Sequence, residues 1–143
     1  KFFVIVDQAL GKMTGQAAIH FQLAPAPGEP IFDDSKLFAL TGFSDGTNLM
    51  IQTMAQEGIS LLKEEGRVSF KYGTKQDRPS FCYNLLKSAE PVRFVTILLP
   101  YEGSVPSIQA IFTEPSMPGS DKLELDVEVA GIKTHISHNL IAK

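Results

Sequence analysis

Apolar and polar residues alternate at four places along this chain, and this alternation restricts the fold more than any other feature. The alternating stretches are residues 19–23, 49–53, 68–72 and 123–129. A period of two residues sends successive side chains to opposite faces, as in a strand with one buried face. The only stretch that could be helical, residues 55–65, contains a glycine and is short for an independent helix. We therefore predict an all-β fold.

Turn signals divide the chain into about ten or eleven short strands, which is the pattern of an antiparallel β-sandwich. Residues 24–30, APAPGEP, are predicted to form a loop because their prolines exclude helix and regular sheet. The Asp45-Gly46 pair lies between two apolar runs and predicts a hairpin over residues 37–54.

Three further stretches carry specific expectations about burial. Residues 2–6 and 92–99 are apolar almost throughout, so we expect the first strand to be buried on both faces and the second to be central. Residues 123–129 bury leucine and valine on one face and carry a row of carboxylates on the other. Such a row protects a strand against edge-to-edge pairing.

Residues 59–72 are expected to form two strands separated by a turn. The first is a short strand near residues 59–62, and the turn lies at residues 64–66. The second strand follows, with Val68, Phe70 and Tyr72 on its inner face.

Length and composition predict one domain, residues 1–143, with a core of ordinary size. The net charge of −3 argues against a nucleic-acid partner. No apolar run approaches the roughly 18 residues that a membrane span needs, so no membrane partner is predicted. The chain begins inside a strand and without methionine, which suggests a piece of a larger protein.

His20 is the titratable residue of greatest interest. It lies in the middle of an alternating strand, on the face opposite Ile19, Phe21 and Leu23. An imidazole in such a position suits proton transfer or the binding of an anionic sugar. The alternative is a structural histidine whose hydrogen bonds are satisfied within the fold.

The remaining candidates favour structural roles, so we predict neither a metal site nor a cofactor. His135 and His138 are three residues apart in a strand and therefore face opposite ways. Cys82, the single cysteine, lies in an apolar strand and is expected to be a buried, inert thiol. The Asp33-Asp34 pair is interpreted as a turn, because calcium needs roughly six or more oxygens.

Basic residues concentrate between residues 63 and 93, where seven lysines and arginines stand against four acidic residues. Arg67 and Lys71 lie on the outward positions of their predicted strand and are the candidate contacts for a sulfated or uronic polymer. The alternative is an ordinary solvated strand face.

Five sequence blocks carry a resemblance to a known family. In chain order they are FFVIVDQALGKMTGQAAIHFQL, DGTNLMIQ, EEGRVSFKYG, RPSF and FVTILLPYEG. Their order and spacing resemble the C-terminal part of bacterial heparinase III proteins, within the heparinase II/III-like family of polysaccharide lyases. The resemblance spans nearly the whole chain.

The resemblance implies a C-terminal β-sandwich whose partners are an N-terminal helical toroid of the parent chain and heparan sulfate or a related uronate polymer. The implied reaction of the parent is β-elimination, in which a base removes the C5 proton of a uronate while a neutralising group stabilises the resulting enolate. The family implies that an asparagine-type neutraliser and a tyrosine come from the toroid. His20 is the one residue carried over as catalytic, in the context of the parent enzyme. A periplasmic or secreted location is also implied.

Two other functions compete with this interpretation. A free-standing carbohydrate-binding module usually displays exposed aromatic side chains, whereas this chain has no tryptophan and its aromatics fall mostly on predicted inward positions. A purely structural or interaction sandwich is disfavoured by the sequence blocks. The sequence therefore predicts an accessory sandwich domain of a heparan-sulfate lyase, without a complete catalytic set of its own.

Overall fold

The computed structural model describes residues 1–26, 28–113 and 117–140, and in these ranges it contains strands but no helix. None of the described elements is therefore a long apolar helix of the kind that spans a membrane. The all-β prediction is confirmed. The strands are β1 Phe3–Ala9, β2 Gly15–Gln22, β3 Ile31–Asp33, β4 Phe38–Leu40, β5 Asn48–Thr53, β6 Ser60–Val68, β7 Gln76–Lys87, β8 Val92–Tyr101, β9 Ile108–Phe112, β10 Lys122–Val129 and β11 Ile132–Asn139.

The strands form three antiparallel sheets. A central sheet has the order β1-β8-β5-β4-β3, and two smaller sheets have the orders β2-β7-β6 and β11-β10-β9. We call the smaller ones the β7 sheet and the β10 sheet after their middle strands. One core cluster joins the central sheet to the β7 sheet, and another joins it to the β10 sheet. The fold is therefore a sandwich with a third layer.

Strand β8 lies between β1 and β5 and contributes to both cores, which confirms the prediction that residues 92–99 are central. Phe94 packs in the cluster shared with the β7 sheet, whereas Val95 and Ile97 pack with Leu125 of β10. Alternate side chains of β8 thus reach opposite layers, which is why its sequence is apolar without alternation.

The expectation that residues 2–6 are buried on both faces is wrong. Strand β1 is an edge strand of the central sheet, and it pairs only with β8 among the described strands. Val4 and Val6 pack toward the β10 sheet, but Phe3 on the opposite face is more than half exposed. An apolar run indicates burial on two faces only where another layer extends over both of them.

The interpretation of residues 59–72 as two strands with a turn is also wrong. Strand β6 continues through the expected turn, and it ends at Val68. Phe70 and Tyr72 were expected to face inward, but their exposed fractions are 74% and 102%. They lie beyond the last pairing of β6 with β7, and no strand among the described residues pairs with them there.

The hairpin over residues 37–54 is confirmed. Strands β4 and β5 pair antiparallel, and the Asn48 side chain closes the connection by accepting from the Phe43 backbone N–H at 2.9 Å. The loop at residues 24–30 is present in its described part, and the short strand β3 that follows was not predicted.

Strand β10 has the predicted amphipathic pattern, with Leu123, Leu125 and Val127 buried. It is the middle strand of its sheet, however, so its carboxylates do not guard an edge. They pair instead with basic side chains: Glu124 with Lys122, and Asp126 with His135.

Candidate functional site

The outer face of the β7 sheet carries the candidate site. In β2, Ile19 and Phe21 pack into the core shared with the central sheet, so the alternation turns His20 away from it. The His20 side chain is 58% exposed. The prediction that this side chain leaves the core is confirmed, while its chemical role stays a proposal.

A carboxylate orients the His20 imidazole. The Nδ1 of His20 lies 2.9 Å from Oε2 of Glu64 on β6. His20 stands opposite Cys82 on β7, and Cys82 stands opposite Leu62, so the long Glu64 side chain reaches diagonally across the sheet. A carboxylate at Nδ1 favours the tautomer that carries its proton there, which leaves Nε2 able to accept a proton.

Cys82 lies beside this pair and is buried, with an exposed fraction of 4%. Burial raises the pKa of the Cys82 thiol, and the neighbouring Glu64 carboxylate raises it further. The prediction of a buried cysteine is confirmed. Its proximity to His20 and Glu64 was missed, because strand register joins residues that are far apart in the sequence.

The two basic candidates do not join this site. Arg67 shares the parity of Leu61 in β6, and Leu61 packs in the core, so Arg67 belongs to the sheet face opposite Glu64. Its guanidinium Nε lies 3.6 Å from Asp77 Oδ1, and both side chains are exposed.

Lys71 lies in the loop that connects β6 to β7, between the exposed rings of Phe70 and Tyr72. Its carbonyl oxygen accepts from the Ser69 hydroxyl at 2.8 Å and from the Thr74 backbone N–H at 3.1 Å. These bonds give the loop a defined turn and leave the exposed lysine side chain at its tip.

The structure confirms the turn interpretation of Asp33 and Asp34. Asp33 Oδ1 accepts from the Ser35 hydroxyl at 2.6 Å and from the Lys36 backbone N–H at 3.0 Å. Asp34 Oδ1 accepts from the Leu61 backbone N–H at 2.7 Å, which ties this turn to β6. The carboxylates are therefore engaged in turn geometry.

A cleft of about 600 Å³ lies between β1 and β2. Its one lysine, Lys87, donates to the backbone carbonyls of Gly11, Met13 and Ser88 at distances of 2.6, 3.3 and 2.9 Å. These three bonds use the donor capacity of an ammonium group, so Lys87 acts as a cap for the β1–β2 connection.

Known proteins match between about three quarters of this chain and nearly all of it. No protein-family model matches it. A heparin-sulfate lyase from Pedobacter heparinus is 39% identical over 104 residues, which is 72% of this chain and 16% of that protein. A heparin-sulfate lyase from Bacteroides stercoris is 30% identical over 142 residues, which is 97% of this chain and 21% of that protein.

Solved structures agree with these relatives. The crystal structure of heparan sulfate lyase HepC from Pedobacter heparinus matches with a TM-score of 0.92 and 33% identity, covering 100% of this chain and 23% of that one. A crystal structure of heparinase III matches with a TM-score of 0.87 and 30% identity, covering 98% and 22%. The chain thus spans about a fifth of the length of the relatives it matches. It is a homologue of the C-terminal β-sandwich domain of the heparin-sulfate lyases, the heparinase III family.

Proposed function

We propose that this chain is the accessory sandwich domain of a polysaccharide lyase that cleaves heparan sulfate by β-elimination. The observation that carries the proposal is the match of the whole chain to 23% of heparan sulfate lyase HepC at a TM-score of 0.92. A domain that is retained as one part of larger lyases, with its fold intact, fits a supporting role beside a catalytic domain.

The chemistry of the site agrees with an accessory role. β-Elimination needs a base at the C5 proton and a separate group that stabilises the growing negative charge of the carboxylate. Among the acidic, thiol and imidazole side chains of the described residues, Glu64 and Cys82 cluster with His20, one a carboxylate and the other a buried thiol. A carboxylate beside the imidazole can orient it but would oppose an enolate, so this cluster does not supply the neutralising group, which we propose comes from another domain of the parent.

Within the parent enzyme we propose that the outer face of the β7 sheet borders the substrate cleft formed with an N-terminal helical toroid. His20 would then hold the uronate or carry a proton, with Glu64 fixing the tautomer. The family resemblance also supports a periplasmic or secreted location for the parent, which cell fractionation can check.

A lyase assay on the isolated chain tests the proposed division of labour. We expect no unsaturated uronate, measured by its ultraviolet absorbance, when the purified chain is incubated with heparan sulfate between pH 5 and 9. The parent enzyme serves as the positive control under the same conditions. Reproducible product from the chain alone would mean that it holds a complete catalytic set, and the accessory role would be wrong.

Arg67 and Lys71 are proposed as outlying contacts for the anionic polymer. Both are exposed, and Lys71 stands between two exposed aromatic rings. We expect Lys71→Ala in the parent to weaken heparan-sulfate binding and to reduce its salt dependence, since one cation fewer is screened. Lys133→Ala, an exposed lysine of the β10 sheet, is the matched control. If the two substitutions weaken heparan-sulfate binding equally, the effect comes from the overall charge of the protein, and Lys71 is not a specific contact.

A sugar-binding module is the second candidate, and one observation favours it. Phe70 and Tyr72 are exposed, contrary to the sequence expectation, and exposed rings are what such modules use to stack on sugars. Binding of the isolated chain to immobilised heparan sulfate, lost in Tyr72→Ala, would support this function. Binding of immobilised heparan sulfate by the parent enzyme but not by the isolated chain would instead support the accessory domain.

A further inference from the structure

Three side chains that are common metal ligands meet on the outer face of the β7 sheet. The candidate ligand atoms of His20, Glu64 and Cys82 all lie within 4.8 Å of one another. They come from the three neighbouring strands β2, β6 and β7, so the register of one sheet holds them together. We propose that this cluster is a binding site for a divalent cation of the zinc class. The proposal does not depend on the proposed lyase function.

The donor set selects the class of metal. Zinc accepts imidazole nitrogen, thiolate sulfur and carboxylate oxygen, whereas calcium and magnesium take oxygen ligands. Zinc–ligand bonds of about 2.0–2.3 Å in a tetrahedron place the ligand atoms roughly 3.3–3.8 Å apart. The nitrogen of His20 and the oxygen of Glu64 already lie 2.9 Å apart. Small rotations of these two longer side chains would bring all three donors around one ion, and the fourth position would hold water.

Asn84 gives independent support from the strand that carries the thiol. Its exposed fraction is 8%, and its amide Nδ2 is buried with no hydrogen-bond acceptor among the described residues. Asn84 and Cys82 lie two residues apart on β7, so their side chains share the outer face of the sheet. A metal-bound thiolate would supply the acceptor that this buried N–H lacks, because a coordinated cysteine is deprotonated. Asn84 is thus placed to support the sulfur ligand.

Proton balance makes the site sensitive to pH. In the protein without metal, His20 Nδ1 lies 2.9 Å from Glu64 Oε2, and a cysteine has to lose its proton before its sulfur can ligate zinc. Binding of zinc forms the zinc–sulfur bond and releases the thiol proton to solvent, while the imidazole proton moves from Nδ1 to Nε2 so that Nδ1 can ligate. The apparent affinity should therefore rise as the pH is raised.

The chain contains a matched control for the imidazole and the carboxylate. On the β10 sheet, His135 Nδ1 lies 2.7 Å from Asp126 Oδ1, and the exposure of this histidine is close to that of His20. Cys82 is the only cysteine of the chain and lies at the other pair, so the His135 pair cannot recruit a thiol. If zinc needs all three donors, it should bind at His20 and Glu64 and not at His135 and Asp126.

The decisive experiment is a titration of the 143-residue chain with Co²⁺, which substitutes for zinc and has a visible spectrum. We expect one equivalent to bind with the intense bands of tetrahedral cobalt and a thiolate-to-cobalt charge-transfer band. Zinc should then displace the cobalt and abolish both. Cys82→Ala should remove the charge-transfer band, and His20→Ala should weaken binding at least about tenfold. His135→Ala should leave the titration unchanged.

Two results would overturn the site. Cobalt bound by the wild-type chain without a charge-transfer band would show that the thiol is not a ligand, whatever the variants do. Equal weakening by His135→Ala and His20→Ala would show binding by surface imidazoles in general. Because the first result comes from the wild-type protein, the proposal stays falsifiable even if Cys82→Ala fails to fold, which circular dichroism would reveal.

Discussion

Buried polar side chains connect the layers of this fold, and Tyr83 is the clearest case at the scale of single residues. Its ring is fully buried in the core between the central sheet and the β7 sheet. Its hydroxyl lies 2.9 Å from the carbonyl oxygens of both Leu37 and Ile51, so the single proton is shared between them. Burial raises the pKa of Tyr83, so the phenol stays protonated and keeps donating well above neutral pH.

Tyr83→Phe is therefore expected to destabilise the chain. The substitution keeps the ring but removes this donor from two buried carbonyl oxygens. Because the Leu37 oxygen still accepts from the Thr53 backbone N–H, we expect the net cost of a lost hydrogen bond, about 0.5–1.5 kcal/mol. Urea denaturation of the two proteins measures the difference in the free energy of unfolding. Tyr72→Phe, at a fully exposed ring, should change it by less than about 0.5 kcal/mol. Equal stabilities of Tyr83→Phe and wild type would contradict the role assigned to the hydroxyl.

Asp33 gives a prediction about pH. The hydrogen bond from Ser35 is the largest cause that holds the pKa of Asp33 below its usual value. Because the folded-state pKa is lowered, the ionised carboxylate favours folding above the unfolded-state value. This contribution is lost as the pH falls through the lowered pKa.

We expect Ser35→Ala to raise the pKa of Asp33 toward its ordinary value, measured by NMR titration of the side-chain carboxyl carbon. Glu124 is an internal control, because the pKa of this carboxyl is lowered chiefly by Lys122. Its titration midpoint should not move. An unchanged midpoint for Asp33 would show that the Ser35 bond is absent in solution.

The side-chain direction of His20 was predictable because it depends only on local alternation. Its neighbours were not predictable, because Glu64 and Cys82 meet it through the register of three strands. No local pattern in the sequence encodes that register. The sequence therefore predicts one residue of the candidate site, and only the folded sheet brings the carboxylate and the thiol beside it.

At the scale of elements, local signals predicted the hairpin of β4 and β5 and the amphipathic strand β10. The same signals failed at β6, where Glu64-Glu65-Gly66 resembles a turn. Gly66 serves a tertiary purpose instead. A Cβ at this position would lie 2.8 Å from the Cβ of Ser80 and 2.9 Å from the Arg78 carbonyl oxygen. The glycine permits close approach of β6 to β7 without any turn.

Gly66→Ala should consequently loosen the pairing of β6 with β7. Overpacking of this kind costs typically about 1–3 kcal/mol, and the new methyl group would meet backbone that cannot move aside cheaply. Thermal unfolding should show a lower melting temperature than wild type. Gly11→Ala is the matched control, because a Cβ there meets nothing within 4 Å. If the Gly66→Ala protein were as stable as the Gly11→Ala protein, β6 and β7 would not approach each other closely at Gly66.

At the scale of the molecule, the three-layer arrangement was not predictable from the pattern of strands. The apolar run in β8 indicates a strand covered on both faces, but it does not say which strands cover it. Buried Arg93 helps to join the layers: its guanidinium lies 3.0 Å from Gln8 Oε1 on β1 and 2.6 Å from the Ser120 carbonyl oxygen before β10. Such a link between distant segments becomes visible only in the folded chain.

The central claim is that this sandwich serves a lyase and that His20 faces the cleft of the parent enzyme. The most direct measurement compares turnover of heparan sulfate and melting temperature for the parent and its His20→Ala variant, both without added zinc, so that metal binding at His20 does not contribute. We expect a strong loss of turnover with an almost unchanged melting temperature, because the His20 side chain lies outside the core. His135→Ala should change neither. A His20→Ala enzyme with full turnover, or one whose loss of activity follows only from unfolding, would contradict the account.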